Sequence, residues 1–190
     1  MRVKDDNKKE AIFEATIELL NEIGFANISM SKIAKRAGVS SSTIYVYFES
    51  KEDMLKKVYL DVKEKLSLAM THGIQKDLHA RQVVERLVRN IVSFVQDNRQ
   101  YFLFIEQFSN SPIVDNLCQE KLEGMYQPLR DIFENGIRNG ELKQASPSVL
   151  ITYCHQPVVQ IVKTLLKRNI PVTGDMIDMI IGLSWDAVKS

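Results

Sequence analysis

The 190-residue chain carries 25 Lys and Arg against 24 Asp and Glu, a formal net charge of +1, with 45% hydrophobic residues. That length and composition suit one or two small domains with an ample core, and they exclude the chain-wide basicity that would announce nucleic acid binding by itself. No apolar run reaches membrane-spanning length, and the polar opening MRVKDDNKKE lacks the apolar centre of a signal peptide, so a cytoplasmic protein with no membrane partner is expected.

From about Lys8 to Ile23, the residues Ile12, Phe13, Thr16, Leu19, Leu20 and Ile23 recur on one face of a helix that Gly24 ends. Ser29 or Ser31 can cap a short second helix with Met30, Ile33, Ala34 and Ala37 at helical spacing. Gly38 supplies the left-handed stop, and Val39 is the apolar residue that pins the turn. Ser40 can cap a third helix that opens with Ser41, Ser42 and Thr43. Ile44 and Phe48, four apart, face inward and leave Thr43, Tyr45, Val46, Tyr47 and Lys51 facing outward. A helix tip that enters the major groove needs small polar groups, because its backbone must approach the base edges. Residues 29–51 hold Lys32, Lys35, Arg36 and Lys51 against Glu49 alone, a local +3, whereas residues 52–190 balance at seventeen basic and seventeen acidic. A basic patch on a neutral body is the charge distribution of a DNA reader with a separate sensing domain, and so modest a patch is also common as plain solvated surface.

A fourth helix starts near Ser50, with Glu52 and Asp53 in its first turn, and Met54, Leu55, Val58, Tyr59, Val62 and Leu66 carry it towards Met70. Gly73 breaks the pattern. Val83, Val84, Leu87, Ile91, Phe94 and Val95 mark a helix from about Ala80 to Asp97-Asn98. Residues 101–108 are dense in aromatics, Ser109–Pro112 read as a turn, and Leu117 to Gly136 as a helix closed at Asn139-Gly140. Ser146-Pro147 start a helix to about Arg168, with a kink near Tyr153-Cys154 expected from Pro157, and a last helix follows from about Thr173. Both are apolar on several sides, which suits either burial within one protomer or a two-fold four-helix interface between subunits with Val159 and Ile180 inside it. Cys118 and Cys154 have no partner at metal-ligand spacing, nor do His72, His79 and His155 cluster. Reduced core cysteines, no metal and no cofactor are expected.

The stretch GVSSSTIYVYFESKEDML resembles the signature of the tetracycline-repressor (TetR) family of bacterial transcription regulators, and the likeness extends back through Lys8–Gly24 and Phe25. It covers about the first third of the chain. One departure is Ser42, where many members carry glycine or alanine, and it bears on base preference. The resemblance implies an all-α fold: a three-helix helix-turn-helix domain over 1–51, a connecting helix over 52–70, and a helical effector-binding and dimerisation domain over 71–190. It also implies a homodimer that binds double-stranded operator DNA, most often as a repressor, and answers to a small-molecule effector. The expected DNA contacts are Ser29, Ser31, Lys32, Ser40, Ser41, Ser42, Thr43, Tyr45, Val46, Tyr47 and Lys51. Tyr47 and Lys51 would meet phosphates, with Thr43, Tyr45 and Val46 nearer the bases.

Phe94, Phe102, Phe104, Phe108, Met125, Tyr126, Phe133 and Tyr153, interspersed with Glu106, Gln107, His155, Gln156 and Gln160, have the composition of an apolar ligand cavity with a few polar groups. Aromatics at helical spacing serve equally well as core. An enzyme or carrier without a DNA role would need a nucleophile–base pair, a carboxylate pair or metal spacing, and the chain offers only scattered acids and isolated histidines. A family member answering to a protein partner instead of a small molecule is the nearer alternative.

Overall fold

The computed structural model describes residues 2–75, 77–109 and 119–190. Among these residues the architecture is all-α, with one isolated antiparallel bridge between Leu142 and Lys189. Cys118, the start of the helix expected at Leu117 and the turn expected past Ser109 lie outside the described residues. The chain divides into two compact units: Met1–Lys63 with Arg99–Cys118, and Glu64–Asn98 with Gln119–Ser190.

The first unit begins with α1 (Arg2–Ile23), which starts well before the expected Lys8 because its polar opening contains no helix breaker. Ile12, Ile17 and Leu20 are buried along its inner face, and the buried Thr16 hydroxyl donates to the Ile12 carbonyl at 2.7 Å. Gly24, at φ 72°, ends the helix, and a single 3-10 turn over Phe25–Asn27 leads to α2 (Met30–Ala37). Of the two candidate caps, Ser29 serves: its hydroxyl accepts the Lys32 N–H. Gly38 takes the left-handed conformation at φ 67°, and the Val39 N–H returns to the Ala34 carbonyl at 3.0 Å. Ser40 then caps α3 (Ser41–Tyr47) by accepting the Thr43 N–H at 3.1 Å. Ser50 caps α4 (Lys51–Thr71), and the Asp53 carboxylate reaches back to the Glu49 N–H at 3.0 Å. Arg36 of α2 clamps onto α1 through Glu18 at 3.1 Å and Glu22 at 2.6 Å.

A helix expected in the sensing domain completes this unit. After α5 (Ala80–Asp97) and one non-helical residue, Asn98, α6 (Arg99–Phe108) packs along α1. Phe104 and Phe108 are fully buried and stack at 5.5 Å, and Tyr59 and Phe25 meet Phe108 at 5.1 and 6.3 Å. Tyr101 packs edge-on against Phe13 at 5.8 Å and donates to the Glu14 carboxylate; burial and that carboxylate push its hydroxyl well above the ordinary tyrosine value. The Asn21 amide reaches the Gln100 carbonyl at 2.9 Å. The compact units divide inside α4 and again at Asn98.

In the second unit α5 packs against α8 (Pro147–Lys167) and α9 (Gly174–Val188), and α7 (Gln119–Arg138) packs against α8. Pro147 occupies the first turn of α8, although the Ser146 hydroxyl makes no capping bond, and the helix continues through Pro157. Thr173 caps α9. The Glu141 carboxylate caps α5 at the Ala80 N–H (2.8 Å), and the Lys143 N–H donates to the Val188 carbonyl at 2.9 Å. Cys154 is fully buried and its thiol is pushed up to about 12 by desolvation. Val159 and Ile180, expected at a subunit interface, are instead buried within the protomer. The inward row of α8 is Leu150, Cys154, Val158 and Val162, and its turn places Val159 beside them. The apolar side chains left exposed on α8 and α9 are Val149, Tyr153, Met179 and Leu183. No helix among the described residues is long and apolar enough to cross a membrane.

A methyl group on Gly136 would stand 2.8 Å from Leu142 Cδ1 and 3.3 Å from Ala80 Cβ, where both partners are buried. Gly136→Ala should therefore cost about 1–3 kcal/mol by overpacking, read as a lower urea midpoint. Gly124→Ala, in the same helix with open space around it, should be neutral or stabilising. A second expectation concerns acid. The hydrogen bond from Arg36 holds the Glu22 carboxyl below the usual range, against slight desolvation. Its contribution is complete above the ordinary value of 4.5 and is lost as pH falls through the lower folded value. Arg36→Ala should thus lower Tm at about pH 7 and much less at about pH 3. An equal loss at both pH values would mean that the clamp does not act by charge.

Candidate nucleic-acid interface

Ile44 and Phe48 are buried beneath α3, which orients everything else on it. Val46 points furthest out, 77% exposed, and Tyr45 is 57% exposed. Residues two apart on a helix lie about 200° apart around the axis, so Tyr45 and Tyr47 occupy opposite flanks of the Val46 ridge. Thr43 and Tyr47, both half-buried, share the second flank. At the tip, Ser41 and Ser42 are exposed, and the Ser40 hydroxyl is within 2.7 Å of Ser42 Oγ and 2.8 Å of Thr43 Oγ1. These hydroxyls are oriented before any partner arrives. At the start of α2, Ser29 and Ser31 share a hydrogen bond at 3.1 Å, and Ser31 and Lys32 are exposed.

The basic segment is less available than its charge count implies. Arg36 is committed to Glu18 and Glu22, which raises its pKa through those hydrogen bonds and makes it an internal brace. The Lys32 ammonium donates to the Asn27 carbonyl at 2.8 Å. Lys51, expected to face outward, is half-buried: its ammonium lies 3.5 Å from the Ile28 carbonyl and 4.8 Å from the centre of the Phe25 ring. It starts α4 beside the 3-10 turn, so its stem crosses that turn before reaching solvent. A cation outside the motif joins the face instead. Lys8 of α1 lines an open groove with Ser42, Thr43, Val46 and Tyr47. Sequence spacing could not find it, because the contact between α1 and α3 is tertiary.

The residues expected to bind an effector fall in both units. Phe102, Phe104 and Phe108 belong to the aromatic core of the first. The second holds Phe94, buried on α5, and Met125 and Tyr126, half-buried on α7, where the Ser67 hydroxyl donates to the Met125 carbonyl at 2.6 Å. On α8, His155 is half-buried, but Tyr153, Gln156 and Gln160 stand on the outer face with Val149. Residues 149, 153, 156 and 160 form one helical stripe, turned away from the inward row. Phe133 walls a separate cavity of about 180 Å³ with His79, Asn139, Glu141 and Leu142.

The model of the bacterial regulatory proteins of the tetR family matches residues 12–58, and that of the tetracyclin repressor-like C-terminal domain matches residues 59–190. A TetR family transcription regulator from Marinobacter aquaeolei VT8 superposes with a TM-score of 0.91 at 27% identity, covering 100% of both chains. The fatty acid metabolism regulator protein of Bacillus subtilis is 28% identical over 135 residues, 70% of each chain. FadR from Bacillus subtilis, solved in complex with stearoyl-CoA, superposes with a TM-score of 0.73 at 23% identity over 92% of this chain and 95% of its own. With its head and its body each matched by the corresponding family model, the chain belongs to the TetR family and is a DNA-binding transcription regulator, not an enzyme.

Proposed function

We propose that the chain is a homodimeric repressor that reads an operator through α3 and leaves it when a small hydrophobic acyl ligand binds the body. The observation that carries this reading is the build of α3: its exposed large side chains, Val46 and Tyr45, stand on a seat of buried Ile44 and Phe48. In this assignment Thr43, Tyr45 and Val46 approach base edges. Ser29, Ser31, Lys32, Tyr47 and Lys51 reach phosphates, the two lysines by exchanging their Asn27 and Ile28 carbonyl contacts for the DNA, and Ser40, Ser41 and Ser42 shape the tip. Two such helices in a dimer would enter successive major grooves about 34–36 Å apart.

The apolar stripe of Val149 and Tyr153 on α8, beside Met179 and Leu183 on α9, supports a subunit interface, since large exposed apolar side chains in neighbouring helices favour burial against a second copy. The acyl class is supported by the fatty acid regulator among the relatives and by the stearoyl-CoA in the similar FadR structure. Release requires that the ligand bind the DNA-incompetent arrangement more tightly than the competent one; equal affinity would shift nothing.

The test of the function is selection of operators from random duplex DNA. Wild type should enrich a palindrome, and Thr43→Ala or Val46→Ala should change preferred bases, with about 1–3 kcal/mol of discrimination at stake per strong contact. A long-chain acyl-CoA should then lower operator affinity by roughly 5- to 150-fold. A series of acyl-CoAs without effect would remove the acyl assignment. For assembly, Met179→Asp with Leu183→Asp should shift sedimentation from dimer to monomer while helical circular dichroism is kept. Val159→Asp should instead unfold the protomer. A double variant that stays dimeric would move the interface elsewhere.

A further inference from the structure

The groove beside α3 holds a cation that the helix-turn-helix motif does not contain. It is open, about 260 Å³, and lined by Lys8 of α1 together with Ser42, Thr43, Val46 and Tyr47 of α3. It lies on the flank of α3 opposite Tyr45, the side on which Thr43 and Tyr47 sit. We propose that this groove is a seat for one backbone phosphate of the operator in each half-site, with Lys8 as its counter-charge, so that α1 takes part in positioning α3. The proposal rests on the DNA-reading function above.

The groove offers what a phosphodiester asks of a protein. The ammonium of Lys8 supplies a positive charge, the hydroxyls of Ser42 and Tyr47 supply hydrogen-bonding groups, and Thr43 and Val46 form the wall that leads from the phosphate towards the base edges. A helix laid in the major groove has a sugar-phosphate wall on each flank, and a cation on the Thr43 and Tyr47 side faces one of these walls. Three of the motif's four cations are engaged within the free head, and the fourth, Lys35, is exposed on α2 and does not line this groove. Arg36 is held by two carboxylates, Lys32 by the Asn27 carbonyl, and Lys51 by the Ile28 carbonyl and the Phe25 ring. Lys8 has no ion-pair partner among the described residues, and it is exposed. Because α1 is braced to α2 through Arg36, a phosphate held by Lys8 would also fix the angle at which α3 meets the bases.

The experiment uses the full chain and the operator that it selects. Operators carrying a single neutral methylphosphonate, one position at a time, are titrated with wild type, Lys8→Ala, Lys8→Arg and Lys9→Ala. Lys8→Ala should weaken binding by about 3- to 30-fold and reduce the slope of log affinity against log salt by about one per half-site, while Lys8→Arg stays near wild type. At one phosphate in each half-site, the methylphosphonate should weaken wild type and Lys9→Ala but leave Lys8→Ala unchanged. A Lys8→Ala variant indistinguishable from Lys9→Ala, or one coupled to no single phosphate, would overturn the seat while leaving the DNA-reading function standing. A wild-type chain that enriches no duplex would overturn both.

Discussion

A helix of seven residues does not hold itself together in water, because nucleation costs more than so few hydrogen bonds return. α3 exists because its surroundings hold it. Ser40 satisfies its first turn, Ile44 and Phe48 anchor it in the core, and the left-handed Gly38 sets the angle at which it leaves α2. The Arg36 clamp then ties α2 to α1. Everything proposed for DNA recognition depends on this seat. With two residues turned in, the outward position of Val46 and the flanking positions of Tyr45 and Tyr47 follow from helical geometry alone.

The head was legible in the sequence because its signals are local. Caps, the glycine stop and the spacing of Ile44 and Phe48 act within a few residues of one another, and each predicted its observed role. Interactions with distant partners cannot be read this way. Arg36 counts as a surface charge in sequence, yet Glu18 and Glu22 turn it into a brace. The aromatics of residues 101–108 have the composition of a ligand cavity, yet Phe104 and Phe108 stack into the core of the DNA-reading unit. Lys8 lies twenty-one residues before Ser29, where the basic segment begins, and only the fold brings it to the groove beside α3.

The body shows the same division from another side. Periodicity located its helices within a few residues, since caps and glycines mark their ends. It could not tell which of several apolar faces points inward, because α8 and α9 are apolar on more than one side. Val159 and Ile180 are buried in the protomer, whereas Tyr153, Met179 and Leu183 remain in solvent. Burial depends on which neighbours arrive, and α5, α7 and α9 all pack against α8, whose buried row is Leu150, Cys154, Val158 and Val162.

The membership of α6 in the first unit means that this unit is not one continuous piece of chain. Tyr59 and Phe25 rest on Phe108, and the Lys51 ammonium in turn lies over the Phe25 ring. A fragment ending at Lys63 would retain the whole helix-turn-helix and still lose the ring on which Phe25 and Tyr59 pack. Such a fragment could not be grafted onto another sensor as a ready-made reading head. Exchange of whole domains between regulators of this architecture would succeed only where the donor brings a segment equivalent to α6, or where the recipient body already presents a compatible aromatic helix.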